Sequence, residues 1–205
     1  MYTEPVGIYF SNVLAFSVNR WYNSIWNSSG GIIMKEKKEH LRLLTFAALL
    51  AAMTTVATML IQIPTPTKGY VNLGDSIVNV AAWLLGPAFG AAAAGIGSAA
   101  ADIISGYVVY APATLIIKAA MAVVSFYVFK TVNTKFSSLP SRIAAAVSAE
   151  VVMMAGYTAF EAIMYHSMSA AVLGLPGNIV QGALGAAVSV AVYELVIKRV
   201  PHFQK

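Results

Sequence analysis

Long apolar runs separated by short polar stretches make up most of the chain after its first 40 residues. Roughly 20 consecutive apolar residues can cross a bilayer as an α-helix. The runs are continuous and rich in alanine, whereas a transmembrane β-barrel needs apolar and polar residues in alternation. The pattern therefore predicts an all-α integral membrane protein with six transmembrane helices in one bundle. We expect these helices at residues 41–63, 72–85, 87–105, 112–130, 141–165 and 177–200.

Composition agrees with a membrane protein and argues against an enzyme. Hydrophobic residues make up 59% of the chain and charged residues 10%, while soluble domains carry about 25% charged residues. The chain has no cysteine and only three widely spaced histidines, so we expect no disulfide and no metal site. It also has neither a phosphate-binding loop nor a nucleophile elbow. We therefore predict a protein that is not an enzyme and binds no cofactor itself.

The basic residues predict the orientation of the bundle. Ten of the 13 Lys and Arg residues lie near the two termini or in the loop around residue 135, and Lys68 alone lies in the opposite loops. Basic residues concentrate on the cytoplasmic side of membrane proteins. We therefore expect both termini in the cytoplasm and the protein in the plasma membrane. The same distribution explains the net charge of +5 without a nucleic-acid partner.

Residues 1–33 do not follow this pattern. They carry scattered aromatic residues and lack the ordered regions of a secretory signal. Met34 is followed at once by a charged stretch, residues 35–40, which is typical of the start of a membrane protein. We expect residues 1–33 to be an upstream extension or leader, and residues 34–205 to form the membrane domain. The alternative is an interfacial segment, since Trp and Tyr favour the headgroup level.

Polar side chains gather at the predicted outer end of the bundle. Residues 64–74 contain two prolines and two glycines, which predicts a compact, non-helical loop, and its polar groups suggest a lid over a binding site. Glu150, Tyr157 and Glu161 are spaced by seven and four, so they share one helix face. The candidate substrate-binding residues are Thr65, Tyr70, Asn72, Asp75, Lys118, Glu161, Asn178 and Gln181.

Two charged residues lie within predicted spans. Asp102 and Lys118 are costly at that depth unless they are paired or line a cavity. A hairpin of the third and fourth spans brings both near the same end, so we predict a buried Asp102–Lys118 ion pair that locks two helices. Direct contact of Lys118 with a ligand is the alternative. Asp75 likewise has two interpretations, because the helix dipole also favours an acidic residue in a first turn.

The first span carries two overlapping Ala-x-x-x-Ala pairs, Ala47 with Ala51 and Ala48 with Ala52. Residues four apart share a helix face, and small residues there let another helix approach closely in lipid. The pairs indicate either packing within this protein or a docking face for the helix of a partner.

Taken together, these motifs resemble the substrate-binding S components of energy-coupling factor (ECF) transporters, the vitamin-uptake relatives of ABC importers. The resemblance covers residues 38–200, and residues 1–33 match nothing in that family. The features that carry it are the alanine pairs, the loop at residues 64–75, Leu85-Gly86-Pro87, the Gly/Ala/Ser helix that ends in Ala101-Asp102 before Gly106-Tyr107, and the segment at residues 113–118.

The resemblance implies a six-helix receptor that binds its vitamin from outside and closes the first outer loop over it. The alanine face would dock on a membrane T component coupled to two cytoplasmic ATPases that use ATP, and the receptor would topple to release the vitamin inward. The branch resembled covers riboflavin, pyridoxine and hydroxymethylpyrimidine. The hydroxyls, amides and carboxylates available here favour pyridoxine or hydroxymethylpyrimidine. The alternatives are a riboflavin receptor, a small secondary transporter with Asp102 or Glu161 as proton site, and a membrane scaffold protein.

Overall fold

A computed structural model describes residues 40–199 of the chain, so the prediction for residues 1–33 lies outside the described residues. Because the chain divides into two units between Arg42 and Leu43, packing is described for residues 43–199. The elements in chain order are α1 (His40–Leu60), β1 (Ile63–Pro64), β2 (Tyr70–Val71), α2 (Gly74–Ile104), α3 (Ala111–Val132), α4 (Ser138–Met164), α5 (Met168–Val172), α6 (Leu175–Leu195) and a 3₁₀ turn (Ile197–Arg199).

Five helices within the described range are long and apolar enough to cross a membrane. They are α1, α2, α3, α4 and the segment Met168–Arg199, which contains α5 and α6. Large apolar side chains on their outer surfaces are exposed, for example Val56 at 61% and Ile116 at 67%, as expected for a surface that faces lipid. The prediction of a helical, multi-pass membrane protein is confirmed, while the count of six spans and the orientation of the termini stay predictions.

A break divides α2 into two halves. Gly86 has φ 78° and ψ −176°, which is not helical, and Pro87 follows it. A Cβ placed on Gly90 would lie 2.9 Å from the Cα of Ala82, whereas residues eight apart in a straight helix are about 12 Å apart. Residues 74–85 and 87–104 therefore fold back on each other, as Gly86-Pro87 predicts. The first half is only about 18 Å long, short for a hydrocarbon core of about 30 Å.

Glycine and proline also set the other helix boundaries near the cavity. Gly106 has a φ of 84°, a left-handed conformation that glycine adopts freely after a helix C-cap. Pro112 and Pro176 lie in the first turns of α3 and α6, where the missing N–H costs no hydrogen bond. These boundaries bring the end of α2 and the starts of α3 and α6 to the same end of the bundle.

The second half of α2 packs very closely on its neighbours. A Cβ on Gly97 would lie 2.4 Å from the carbonyl oxygen of Ala51, and one on Gly95 would lie 2.7 Å from that of Leu115. The Thr55 hydroxyl also donates to the Gly97 carbonyl over 2.8 Å. The small residues thus let α1 and α3 approach this helix closely, as expected for helices associating in lipid.

The two alanine pairs of α1 face in different directions. Ala47 is buried in a cluster with Ala81, and Ala51 lies beside Gly97, so this pair packs within the protein. Ala48 and Ala52 are exposed. The pair Ala47 and Ala51 therefore fits the interpretation of packing within the protein. The exposed pair Ala48 and Ala52 fits the interpretation of a docking face.

Candidate ligand-binding site

A cavity lies where the β1–β2 loop meets the ends of α2 and α4 and the starts of α3 and α6. The cavity volume is about 30 Å³, and the space between the surrounding atoms, which includes solvent at the open mouth, is about 380 Å³. Six of the eight predicted substrate-binding residues line it: Thr65, Tyr70, Asn72, Glu161, Asn178 and Gln181. The remaining lining residues are Gly69, Asp102, Tyr110, Thr114 and Tyr157. The structure thus brings the six side chains around one cavity, and their contact with a ligand stays a prediction.

The loop over the cavity is a small hairpin with an anchored tip. Its two short strands pair antiparallel, with Ile63 opposite Val71. The loop is therefore non-helical, as predicted, but the strands were not predicted from the sequence. The carbonyl oxygen of Thr67 accepts hydrogen bonds from the hydroxyls of Tyr110 (2.5 Å) and Tyr165 (2.6 Å). Tyr110 precedes α3 and Tyr165 follows α4, so two helix ends hold the loop tip.

Burial raises the pKa of Tyr110 above its ordinary value, and the neighbouring Glu161 and Tyr165 raise it further. A tyrosine with a raised pKa keeps its proton at neutral pH. Tyr110 therefore remains a hydrogen-bond donor to the loop. Its hydroxyl also lies 3.3 Å from Glu161 Oε1, so the same residue connects the loop tip to the cavity wall.

Asp102 is bound to the loop rather than to Lys118. Its Oδ1 accepts a 2.6 Å hydrogen bond from the Tyr70 hydroxyl, and the Tyr70 ring packs on Tyr107 with 4.5 Å between centroids. Burial and the hydrogen bond to Asp102 raise the pKa of Tyr70 above its ordinary value. Tyr70 therefore stays a neutral donor whose hydroxyl holds the loop against the end of α2.

Lys118 is instead paired with Asp75, which corrects the predicted Asp102–Lys118 pair. The Lys118 ammonium contacts Asp75 Oδ1, and the two residues are 2% and 0% exposed. Lys118 lies at the end of the bundle that holds both Asp75 and Asp102, and the fold-back at Gly86 places the start of α2 against α3. Lys118 therefore forms its ion pair with Asp75, the carboxylate that lies nearer to its ammonium. Neither Asp75 nor Lys118 is among the residues that line the cavity.

Gln181 connects this ion pair to the loop. Its Nε2 donates to Asp75 Oδ2 over 2.7 Å, and its Oε1 accepts from the backbone N–H of Asn72 (3.0 Å) and from Asn72 Nδ2 (3.2 Å). Asn72 Oδ1 in turn accepts from the N–H of Gly74 over 2.9 Å. The ion pair thus fixes the orientation of an amide that lines the cavity and the position of the loop base.

The cavity contains two carboxylates with unused oxygens. Asp102 Oδ2 and Glu161 Oε2 are buried and accept no hydrogen bond of ordinary geometry from the described residues. The hydroxyl of Thr114 lies near Asp102, and that of Thr67 lies near Glu161. Each of these hydroxyls is within hydrogen-bond distance of another hydroxyl, that of Tyr157 or Thr65. The two oxygens are therefore enclosed by protein and have no hydrogen bond of ordinary geometry from the described residues.

Sequence reasoning missed several lining residues that its own patterns indicate. Tyr110, Thr114 and Lys118 are spaced by four, which places them on one face of α3. Tyr157 shares a helix face with Glu161, as predicted, and both line the cavity. The third member of that face, Glu150, lies outside the cavity, where its Oε1 accepts from Asn79 Nδ2 over 3.2 Å.

The fold and the cavity together define a membrane-embedded protein with a polar, loop-covered site at one end of a helical bundle. Comparison with known proteins gives the family. The family model of the ECF-type riboflavin transporter, S component, matches residues 38–198, so the chain belongs to the S components of ECF transporters, as its motifs indicated. Such a component is part of a transporter rather than an enzyme and works with a T component and ATPases in the membrane. A Pyrococcus woesei protein, described as "Uncharacterized protein in gap 3'region", is 34% identical over 147 residues, which is 71% of this chain and 95% of that protein.

Proposed function

We propose that this S component captures a small vitamin or vitamin precursor from outside, in the cavity beneath the β1–β2 loop, and delivers it inward through its T component and ATPases. The observation that carries the proposal is the loop anchored by Tyr110 and Tyr165 over a cavity lined by hydroxyl, amide and carboxylate groups. A ligand beneath that loop would be enclosed by residues from four helices.

Within this function, we propose pyridoxine or hydroxymethylpyrimidine as the substrate in preference to riboflavin, the vitamin in the family's name. Among the described residues, every side chain that lines the cavity carries a polar group. Small-molecule sites are usually lined mainly by apolar and aromatic groups, which a large ring system such as that of riboflavin would need to cover its faces. A buried donor or acceptor left unpaired costs about 1–3 kcal/mol. The lining therefore favours a small ring with hydroxymethyl groups and ring nitrogens, which can pair with these groups.

The orientation is also part of the proposal. We infer six crossings, with the two halves of α2 counted separately, both termini in the cytoplasm and the cavity on the outer side. The support is the fold-back at Gly86 together with the basic residues, of which Lys68 is the one in the loops at the cavity end. This orientation exposes the cavity to the solute before uptake.

For docking, we propose that the exposed pair Ala48 and Ala52 meets the T component. The other pair is occupied, because Ala47 packs with Ala81 and Ala51 with Gly97. Small exposed residues on one face of α1 leave room for the helix of a partner to approach closely.

Equilibrium binding to the purified protein in nanodiscs tests the proposal. We would titrate pyridoxine, hydroxymethylpyrimidine, riboflavin and thiamine into the wild type and into Glu161→Ala/Asn178→Ala. The matched control is Ile163→Ala, which removes side-chain volume at a 73% exposed position on the same helix. We expect submicromolar binding of pyridoxine or hydroxymethylpyrimidine that the double variant loses and the control keeps. Tight binding of riboflavin alone would overturn the substrate, and binding of none of the four would overturn the vitamin receptor.

A further inference from the structure

Acidic side chains outnumber basic ones in the interior around the cavity. Lys118 is 2% exposed and is paired with Asp75. In the part of the chain that the structure describes, the other buried basic residue is Arg142, which pairs with Glu194 over 2.8 Å. Glu194 lies about 20 Å along α6 from Gln181. Four carboxylates are no more than 4% exposed: Asp75, Asp102, Glu150 and Glu161.

The imbalance is concentrated at the cavity itself. Among residues 40–199, its lining contains Asp102 and Glu161 and no Lys, Arg or His. Asp102 Oδ1 accepts from the Tyr70 hydroxyl. The Tyr110 hydroxyl lies 3.3 Å from Glu161 Oε1 but donates its single proton to the Thr67 carbonyl. The second oxygen of each carboxylate remains buried and without a hydrogen bond from the described residues. A buried charge is strongly unfavourable unless it is paired or neutralised, so each carboxylate is balanced either by a proton or by a positive charge.

Lys118 does not provide it. Its ammonium contacts Asp75, and the second oxygen of Asp75 is occupied by Gln181. The Lys118 ammonium also lies 5.4 Å from the centre of the Tyr157 ring, and Lys118 is not among the residues that line the cavity. The buried positive charge next to the cavity wall is therefore already paired, and Lys68, in the loop over the cavity, is exposed.

Building on the proposed function, we propose that the ligand of this S component is a small cation, a protonated amine or ring nitrogen whose N–H groups donate to the cavity-lining carboxylates of Asp102 and Glu161. Charge-assisted hydrogen bonds of this kind are about twice as strong as neutral ones. A phosphorylated vitamin, which is an anion, is repelled by the same two carboxylates.

A matched pair of ligands tests the charge. Pyridoxamine differs from pyridoxine by an aminomethyl group in place of one hydroxymethyl group, so at neutral pH it carries an additional ammonium. We would measure the dissociation constants of both, and of thiamine and riboflavin, in nanodiscs at pH 7. The expected result is at least tenfold tighter binding of pyridoxamine than of pyridoxine. Tighter binding of pyridoxine or riboflavin than of either cation would overturn this proposal and leave the vitamin receptor standing. Binding of none would overturn both.

Asp102→Asn and Glu161→Gln test the residues. Both amides keep the size of the carboxyl group and an oxygen that can accept a hydrogen bond, so the fold is expected to survive, which the melting temperature checks. The preference for pyridoxamine should fall toward one in each variant and remain in Glu194→Gln, which removes a carboxylate at the far end of α6. A variant that keeps the full preference for pyridoxamine would show that the carboxylate it replaces does not bind the ammonium of the ligand. If both keep it, the assignment of the cation to Asp102 and Glu161 is wrong.

Discussion

The Lys118 ammonium on α3 is paired with the Asp75 carboxylate in the first turn of α2, and both side chains are almost completely buried. Gln181 on α6 completes the arrangement by donating to the other oxygen of Asp75. Three helices are therefore joined at one carboxylate beneath the cavity, and the orientation of the cavity-lining Gln181 depends on an ion pair that does not itself line the cavity.

Lys118→Met should strongly destabilise the protein, because it leaves the Asp75 carboxylate buried without its partner. Breaking a buried pair costs about 3–5 kcal/mol. Thermal unfolding in detergent, followed by circular dichroism, measures the effect. The double variant Lys118→Met/Asp75→Asn should recover much of the loss, since neither charge remains. A single variant as stable as the wild type would contradict the pairing.

Tyr110→Phe and Tyr165→Phe should each speed the release of bound ligand. Each removes a hydrogen bond to the Thr67 carbonyl at the loop tip, and such a bond contributes about 0.5–1.5 kcal/mol. We expect a dissociation rate roughly 2- to 10-fold faster by stopped-flow chase. Tyr127→Phe, at a 53% exposed position on α3, is the control and should release at the wild-type rate. Unchanged rates in both loop variants would mean that the anchored tip does not retain the ligand.

Gly97→Ala should loosen the packing of α1 on α2. The added Cβ would lie 2.4 Å from the Ala51 carbonyl oxygen, and because this contact is to backbone, a whole helix must shift. Overpacking of this kind costs about 1–3 kcal/mol, visible as a lower melting temperature. Ile96→Ala, on the exposed neighbouring position, should change it little. Equal melting temperatures for Gly97→Ala and the wild type would argue against the close approach.

Ala48→Trp should block assembly with the T component while it leaves vitamin binding intact. The position is exposed on α1, away from the cavity, and a large side chain there prevents close approach of another helix. Co-purification of the complex measures assembly, and ligand titration checks the isolated subunit. Ile116→Trp places the same side chain on the exposed face of α3 and should assemble normally. Normal assembly of Ala48→Trp would move the docking surface elsewhere.

Lys68→Cys should react with a membrane-impermeant maleimide in intact cells, and Lys135→Cys should react only after lysis. The chain contains no cysteine, so each variant carries a single thiol, and both positions are exposed. The experiment measures the orientation that the basic residues predict. Labelling of Lys135→Cys alone in intact cells would show that the bundle has the opposite orientation in the membrane.

The sequence predicted the helical segments and much of the cavity lining well because both follow from local patterns. The Gly86-Pro87 turn and the prolines of the loop are local breaks, and residues four apart must share a helix face. The partner of Lys118 could not be predicted in the same way. Asp75 and Asp102 lie at the same end of the bundle, and only the lateral arrangement of the helices, set by contacts such as Gly95 with Leu115, decides which carboxylate is nearer.

The loop shows the same limit on a smaller scale. Its prolines and glycines predict a non-helical segment, but the anchoring of its tip depends on Tyr110 and Tyr165, which are 43 and 98 residues from Thr67 along the chain. Nothing in the local sequence connects them. The residues that hold the loop were therefore visible only once the helix ends had been brought together.

The most direct test of the account is a crystal structure of the protein grown with the ligand from the binding panel that binds most tightly. We expect that ligand beneath the β1–β2 loop, within hydrogen-bond distance of Glu161 and Asn178. A ligand bound outside this cavity, or inside it without a polar contact to either residue, would contradict the account.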